Sequence, residues 1–122
     1  MKAIRITLPG VPPSLNKYAG RENTNEYRKD KRDWMDRVIW MVKANKGRPE
    51  APFRKAKVEI LYYFKDNRRH DPDNYCGKFL MDGLREARVI EDDCFGKVTL
   101  HLDGAVDKEA PRTVITVTEV IE

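Results

Sequence analysis

The sequence predicts an α+β domain in which two helices pack on a mixed four-stranded sheet. Two kinds of pattern support this fold: four segments rich in β-branched and aromatic residues, and two segments whose apolar residues recur at helical spacing. Along the chain they give the order β-α-β-α-β-β. Because 122 residues is within the usual size of one domain, we expect residues 1–122 to form a single domain.

The first half of the chain is predicted to contain one strand and one long helix. Residues 3–8 alternate between apolar and polar side chains, and the Pro-Gly pair that follows ends the strand. A long polar connection then covers residues 11–26. The helix is predicted over about residues 25–45, where apolar residues form a broad stripe at helical spacing.

The second half is predicted to contain three strands and a shorter helix. Residues 56–65 form a strand, and after a basic turn a helix covers about residues 73–87. On this helix Lys78, Asp82 and Arg85 share one face at i, i+4 and i, i+3 spacing. Two further strands follow at about 97–102 and 112–120.

The composition excludes a membrane span and an acidic disordered chain. Charged residues make up 36% of the sequence and the formal net charge is +4, with no apolar run of membrane-spanning length. The N-terminal residues alternate like a strand and lack the apolar core of a signal peptide, so we expect a cytoplasmic protein without membrane contact. In that compartment Cys76 and Cys94 should be free thiols.

Zinc is the alternative use of these cysteines, together with His70 and His101. The four residues contain no CxxC or HxxxH pair that would place two ligands on one turn. The spacing therefore favours unligated side chains.

The most informative chemistry lies in two acidic segments about twenty residues apart. The first, residues 68–74, reads Arg-Arg-His-Asp-Pro-Asp-Asn, and the second, residues 91–93, reads Glu-Asp-Asp. Pro72 favours an extended backbone at Asp71, and in an extended chain Asp71 and Asp73 point to the same side. With a third carboxylate from residues 91–93 they would form an all-oxygen site suited to Mg²⁺. The alternative is that these acids only cap the helix that follows.

Basic residues accompany the acids. Arg68 and Arg69 directly precede them, and Lys78 lies about one turn into the second helix. Cleavage of a phosphodiester needs cations that hold phosphates and carboxylates that hold a metal ion, and this region offers both. Arg68 and Arg69 are the leading candidate phosphate contacts, and Lys17 in the first connection is a further one.

Other conspicuous residues have simpler interpretations. Arg28, Lys29 and Arg32 fit a solvated face of the first helix. Trp34 and Trp40 fit packing in the core or at a dimer interface better than base stacking.

These residues resemble the RusA-type Holliday junction resolvases over nearly the whole chain. The resemblance includes a basic run before Asp-Pro-Asp-Asn and four short segments in matching order: residues 12–16, residues 71–74, residues 82–84 and residues 89–93. Members of that family are small homodimeric, magnesium-dependent endonucleases that nick four-way DNA junctions symmetrically, and they are often encoded by phages or prophages. The resemblance therefore implies an α+β nuclease that acts on branched DNA.

The resemblance also assigns residues. It implies metal-binding acids at Asp71, Asp73 and Asp93, with Asp92 as the alternative third ligand, and a catalytic lysine at Lys78. In the family the lysine stands one position earlier, where this chain has Gly77. One inserted residue accounts for this offset and for the longer interval to Asp93.

The leading hypothesis is a Mg²⁺-dependent endodeoxyribonuclease, with Mn²⁺ as a substitute, that resolves four-way junctions in recombination and repair. It would act as a homodimer whose twofold symmetry matches that of the junction. The assigned residues are catalytic Asp71, Asp73, Lys78 and Asp93, and DNA-binding Lys17, Arg68, Arg69 and Lys78.

The alternative from another class is a non-catalytic DNA-binding module of the same fold. A glycosyltransferase with a D-x-D motif is disfavoured, because the chain lacks room and glycine-rich βαβ units for a nucleotide-sugar domain.

Overall fold

The computed structural model describes residues 2–19 and 24–121, and its elements follow the predicted order β-α-β-α-β-β. The strands are β1 (Ala3–Pro9), β2 (Ala56–Phe64), β3 (Val98–Val106) and β4 (Arg112–Glu119). The helices are α1 (Thr24–Ala44) and α2 (Lys78–Glu86), and two 3-10 helices lie in the connections, at Leu15–Tyr18 and Pro72–Asn74. The α+β class with two helices and a mixed four-stranded sheet is confirmed.

The sheet has the strand order β1-β4-β2-β3. Strand β4 pairs antiparallel with both β1 and β2, whereas β3 pairs parallel with β2. A parallel pair needs a long crossover, and the connection from β2 to β3 supplies it with α2. Both acidic segments flank α2 in the sequence, so this crossover carries the candidate site.

The core lies between one face of the sheet and the two helices. Along β1, β2 and β4 buried and more exposed side chains alternate, as expected for a sheet with one covered face. The sheet side of the core includes Leu8, Val58, Ile60, Ile115 and Val117. The opposite face carries Arg5, Thr7, Glu59 and other polar residues.

Helix α1 buries its apolar stripe through Trp34, Val38 and Val42. Trp40 lies on the other side and is 71% exposed, so only one of the two tryptophans belongs to the core. The helix has 21 residues but is rich in charged side chains. Among the described residues, no helix is both long and apolar enough to cross a membrane.

The second helix is shorter than predicted. It begins at Lys78 rather than near residue 73, because Gly77 has a left-handed backbone with φ of +80° that interrupts the helix. The residues predicted as its first turn instead form the separate 3-10 helix Pro72–Asn74.

The third strand is longer than predicted, and the first connection is more ordered. Strand β3 continues to Val106 because it pairs along the full length of β2, ending at the pair Phe64–Val106. The predicted polar connection contains the 3-10 helix Leu15–Tyr18, and its residues 20–23 lie outside the described residues.

Candidate active site

The Asp-Pro-Asp-Asn segment forms a tight turn at the surface. Asp71 has the extended backbone expected before proline (φ −103°, ψ 135°), and Pro72 then starts the 3-10 helix. The Asn74 N–H donates to the Asp71 carbonyl at 2.9 Å and closes the turn. Since Asp73 lies inside this helix, the prediction that both acids follow one extended chain is wrong, and their relative direction is set by the turn.

The cap interpretation of these acids is wrong for α2. The N-cap position of α2 is Gly77, and within the described chain no side chain caps that end or the 3-10 helix at Asp71. Neither carboxylate therefore accepts a capping hydrogen bond at these two helices.

An aromatic cluster supports the turn. The His70 ring stacks on Phe64 with centroids 3.7 Å apart and planes 6° from parallel, and Tyr75 meets both rings edge-on. A cavity of about 130 Å³ lies beside this cluster, with Asp71 and Asp103 in its lining. His70 thus serves as a packing residue that fixes the start of the acidic turn.

Arg68 and Arg69 extend from the turn into solvent. Their side chains are 86% and 88% exposed. The Arg69 Nε donates to Asp71 Oδ1 at 3.0 Å, and this contact raises the pKa of the Arg69 guanidinium. The Arg68 Nε lies 3.9 Å from Asp66 Oδ2, and the Arg68 backbone N–H donates to Asp66 Oδ1 at 3.1 Å. Both arginines are placed where a phosphate could reach them.

Lys78 begins α2, directly after the left-handed glycine. Its Nζ lies 3.2 Å from Asp82 Oδ1, and its side chain is 49% exposed. A lysine at position 77 would be unfavourable, because a Cβ on Gly77 would lie 2.7 Å from Ile60 Cδ1. The structure therefore gives a physical reason for a lysine at 78 rather than 77.

Asp82 is a residue of this region to which the sequence assigns no role in the site and whose burial it does not predict. It is only 1% exposed and contacts Lys31, Lys78 and Arg85. The helical spacing of Lys78, Asp82 and Arg85 was the available signal, and their contact was expected from it. The spacing within α2 does not predict that α1 covers Asp82, nor that Lys31 of α1 lies beside it.

The second acidic segment, residues 91–93, contacts Arg85. Its guanidinium lies 3.6 Å from Asp93 Oδ1 and 4.0 Å from Asp92 Oδ1. The Asp93 N–H donates to Asp92 Oδ1 at 2.8 Å, and this bond lowers the pKa of the Asp92 carboxyl. Asp92 is thus occupied with the local backbone, whereas Asp93 is the more enclosed of the two, at 24% exposure against 48%.

The donor chemistry of the predicted metal site fits Mg²⁺, since Asp71, Asp73 and Asp93 offer only carboxylate oxygens. Within residues 2–19 and 24–121, however, no three side chains of Asp, Glu, His or Cys lie close enough to hold a metal ion. Arginines balance the charges of two of these acids instead: Arg69 pairs with Asp71, and Arg85 pairs with Asp93. The three-acid site stays a prediction, and so does the choice of Asp93.

Among the described residues, the four alternative zinc ligands do not form a metal-binding cluster either. Cys76 is partly buried and Cys94 is exposed, and neither forms a disulfide with another described residue.

Lys17 has partners within the protein. Its Nζ lies 2.9 Å from Asp30 and 3.2 Å from Glu26, both on α1. Its connection still approaches the site, because Pro12, Pro13 and Leu15 line the same small cavity as Asn74 and Lys78. The DNA-binding role of Lys17 stays a prediction, and DNA would have to compete with these two carboxylates.

The acids and cations lie on an open surface rather than in a deep pocket. A groove of about 870 Å³ lies elsewhere, and among the described residues of the two acidic segments Glu91 alone lines it. An open charged surface suits a polymer such as DNA better than a small metabolite, which is usually bound in an enclosed cavity.

Comparison with known proteins agrees with this chemistry. The family model described as Endodeoxyribonuclease RusA matches residues 9–118, which is nearly the whole chain and includes both acidic segments and α2. No curated protein sequence matches the chain. From the extent of the family match, the chain belongs to the RusA endodeoxyribonuclease family, whose members resolve Holliday junctions.

Proposed function

We propose that this protein is a Mg²⁺-dependent endonuclease that nicks four-way DNA junctions symmetrically, as a homodimer, during recombination and repair. Family membership supports the endonuclease activity and the junction substrate. The metal, the dimer and the symmetry of nicking are proposals that the following observations support.

One observation carries the proposal: carboxylates are paired with cations in both acidic segments and in α2, which lies between them in the sequence. Arg69 contacts Asp71 at one end, and Arg85 contacts Asp93 at the other. Between them Lys78 and Arg85 meet at Asp82. A phosphodiester bears a negative charge that increases at the leaving oxygen, so its cleavage requires cations close to the carboxylates.

The proposed roles follow from these positions. Asp71, Asp73 and Asp93 would hold Mg²⁺, which supplies Lewis-acid stabilisation of the phosphate and a water that ionises more readily. Lys78, at the half-exposed start of α2, would bind a non-bridging oxygen of the scissile phosphate. Arg68 and Arg69 would bind neighbouring phosphates of the same strand and position the backbone without reading its sequence.

The dimer is proposed from symmetry. A four-way junction has two equivalent strands to cut, and one active site per protomer on a twofold axis would reach both. The described chain has an unpaired edge at β3 and another at β1, but the pattern of exposed residues does not single out one of them as the interface.

A non-catalytic DNA-binding module is the second candidate. The observation that favours it is the absence of an assembled group of three acids among the described residues. In that case Asp71, Asp73 and Asp93 would be dispensable for every activity of the protein.

Asp73→Asn distinguishes the two candidates, because it removes one carboxylate charge at an exposed position with little change in volume. We expect Mg²⁺-dependent nicking of a synthetic four-way junction to fall more than the roughly 10- to 100-fold loss typical of residues that only support metal ligands. Junction binding without metal should be unchanged.

Asp33→Asn, at an exposed position of α1, is the matched control and should cleave like wild type. Equal cleavage by wild type and Asp73→Asn would refute the assignment of Asp73. A wild-type protein that binds the junction but never cleaves it with Mg²⁺ or Mn²⁺ would establish the binding module instead.

A further inference from the structure

A buried carboxylate lies in α2 and shares Arg85 with the second acidic segment. Asp82 is on the face of α2 that packs against α1, and it is 1% exposed. The two helices approach closely at the next residue, where a Cβ on Gly83 would lie only 2.8 Å from Val38 Cβ. This close packing leaves no room for a solvent shell around Asp82.

Three cations surround this one carboxylate. Lys78 Nζ lies 3.2 Å from Oδ1, Arg85 Nη2 lies 3.9 Å from Oδ1, and Lys31 Nζ lies 3.3 Å from Oδ2. Counted with Asp82 alone, these three cations give a formal charge of +2, and Arg85 also faces Asp93 at 3.6 Å and Asp92 at 4.0 Å. The three cationic side chains are 35% to 49% exposed, so their excess charge faces solvent while Asp82 does not.

The burial of this carboxylate is weak evidence that it contributes to fold stability. A buried ion pair is often no more stabilising than apolar side chains of similar volume, because both charges lose their hydration. Oδ2 also accepts no aligned hydrogen bond from any described residue, so Lys31 interacts with it only as a charge. In addition, Lys78 lies at the positive end of the α2 dipole, where a cation is unfavourable.

We propose that Asp82 is a positioning residue that gathers Lys31, Lys78 and Arg85 into one binding site for a backbone phosphate of DNA. The proposal rests on the proposed function and adds to it Lys31 and Arg85 as phosphate ligands. Asp82 itself does not touch the substrate. It offsets part of the repulsion among the three cations and fixes their spacing, while the remaining charge attracts the phosphate.

A second ion pair between the same helices provides a matched control. Arg32 of α1 contacts Glu86 of α2 at 3.4 Å, one residue further along α1 and one turn further along α2 than the pair Lys31–Asp82. Both of its side chains are about half exposed, and Arg32 also pairs with Asp36. Glu86→Gln should therefore weaken a comparable contact without affecting the three-cation site.

The first test combines Asp82→Asn with Lys78→Ala in single-turnover cleavage of a four-way junction. We expect Asp82→Asn alone to reduce cleavage about 10- to 100-fold, the range for misplacing a catalytic group by about 1 Å, and Glu86→Gln to cleave like wild type. In the Lys78→Ala background Asp82→Asn should have a clearly smaller effect, because only Lys31 and Arg85 then remain to be misplaced. If its effect is the same in both backgrounds, Asp82 does not act through Lys78 and the proposal is overturned.

The second test does not require cleavage or a stable Asp82 variant. Lys31→Gln changes a partly exposed residue of α1, and we expect it to weaken metal-free junction binding and to reduce the log–log salt slope by about 0.9, one phosphate contact. An unchanged salt slope would show that Lys31 does not contact a phosphate and would refute its assignment to the site.

Amine labelling by acetic anhydride, read by mass spectrometry, separates failure of this inference from failure of the proposed function. In the protein without DNA, Lys31 and Lys78 should react faster in Asp82→Asn than in wild type, while Lys29 is unchanged. Lack of wild-type cleavage would count against the nuclease alone, whereas equal labelling rates would count against the role of Asp82 alone.

Discussion

Gly77 determines which residue of the site segment can be a lysine. Its φ of +80° is in the left-handed region that favours glycine, and its Cα hydrogen faces Ile60 of the sheet at a distance too short for a Cβ. A lysine at this position would have a strained backbone, and the end of the buried Ile60 side chain would have to shift to make room for its Cβ. The chain instead places the lysine at the next residue, where α2 begins and Asp82 is one turn away.

Gly77→Ala tests this constraint. The left-handed backbone costs a non-glycine residue about 1 kcal/mol, and the clash with Ile60 adds to that cost, so we expect the free energy of unfolding to fall by about 2 kcal/mol or more. Cleavage should fall as well, because Lys78 is the adjacent residue. The measurement is urea denaturation with a parallel cleavage assay.

Gly96→Ala is the control for Gly77→Ala. Gly96 has a similar φ of +89°, but no described atom lies within 4 Å of the Cβ position. It should therefore show only the cost of the backbone. Equal losses of stability at the two positions would show that the contact with Ile60 is unimportant.

At the scale of elements, one carboxylate connects the first loop to the long helix. Asp30 of α1 accepts hydrogen bonds from Lys17 Nζ at 2.9 Å and from the Tyr18 hydroxyl at 2.7 Å. The Tyr18 ring also meets Tyr27 of α1 and Phe79 of α2 edge-on, at centroid distances of 5.1 and 6.3 Å. The 3-10 helix Leu15–Tyr18 is thereby fixed beside the start of α2.

This connection predicts a pH dependence of stability. The hydrogen bond from Lys17, followed by that from Tyr18, holds the pKa of the Asp30 carboxyl below its usual value, although partial burial opposes the shift. A lowered pKa in the folded state stabilises the protein above the unfolded-state pKa of about 3.9, and that stability is lost as the pH falls through the folded-state pKa.

Thermal unfolding of wild type and Asp30→Asn measures this contribution. We expect wild type to be the more stable protein at about pH 7 and the difference to shrink as the pH falls through the folded-state pKa of Asp30, where the carboxyl becomes protonated. Since the other acids titrate in both proteins, their effects cancel in the difference. A difference that is constant over this pH range would show that the Asp30 charge does not contribute.

At the scale of the whole molecule, the order of elements is predictable and the assembly of the site is not. Alternation in β1 and the apolar stripe of α1 are local patterns, so the sequence predicts both within about a residue. The strand order β1-β4-β2-β3 depends on pairing between distant segments, which no local pattern describes. Asp82 shows the same limit: helical spacing predicts its contacts with Lys78 and Arg85, but its burial depends on where α1 packs.

Composition and spacing predict both acidic segments. They do not predict the path of the chain between them. Residues 75–77, which end in the left-handed Gly77, separate the 3-10 helix Pro72–Asn74 from α2, whereas the periodicity predicts one continuous helix. Backbone conformation at a single glycine is set by its neighbours in the fold, here Ile60 and Tyr62 of β2. For this reason the local sequence does not predict where Lys78 lies relative to the acids.

The central claim is that a symmetric pair of these surface sites cuts a branched DNA. The most direct measurement is cleavage of a synthetic four-way junction by the wild-type protein with Mg²⁺, with each of the four strands labelled in turn. The account predicts nicks at symmetric positions in two opposite strands and little cleavage of a linear duplex of the same sequence. Intact strands with both Mg²⁺ and Mn²⁺, or equal cleavage of the linear duplex, would contradict it.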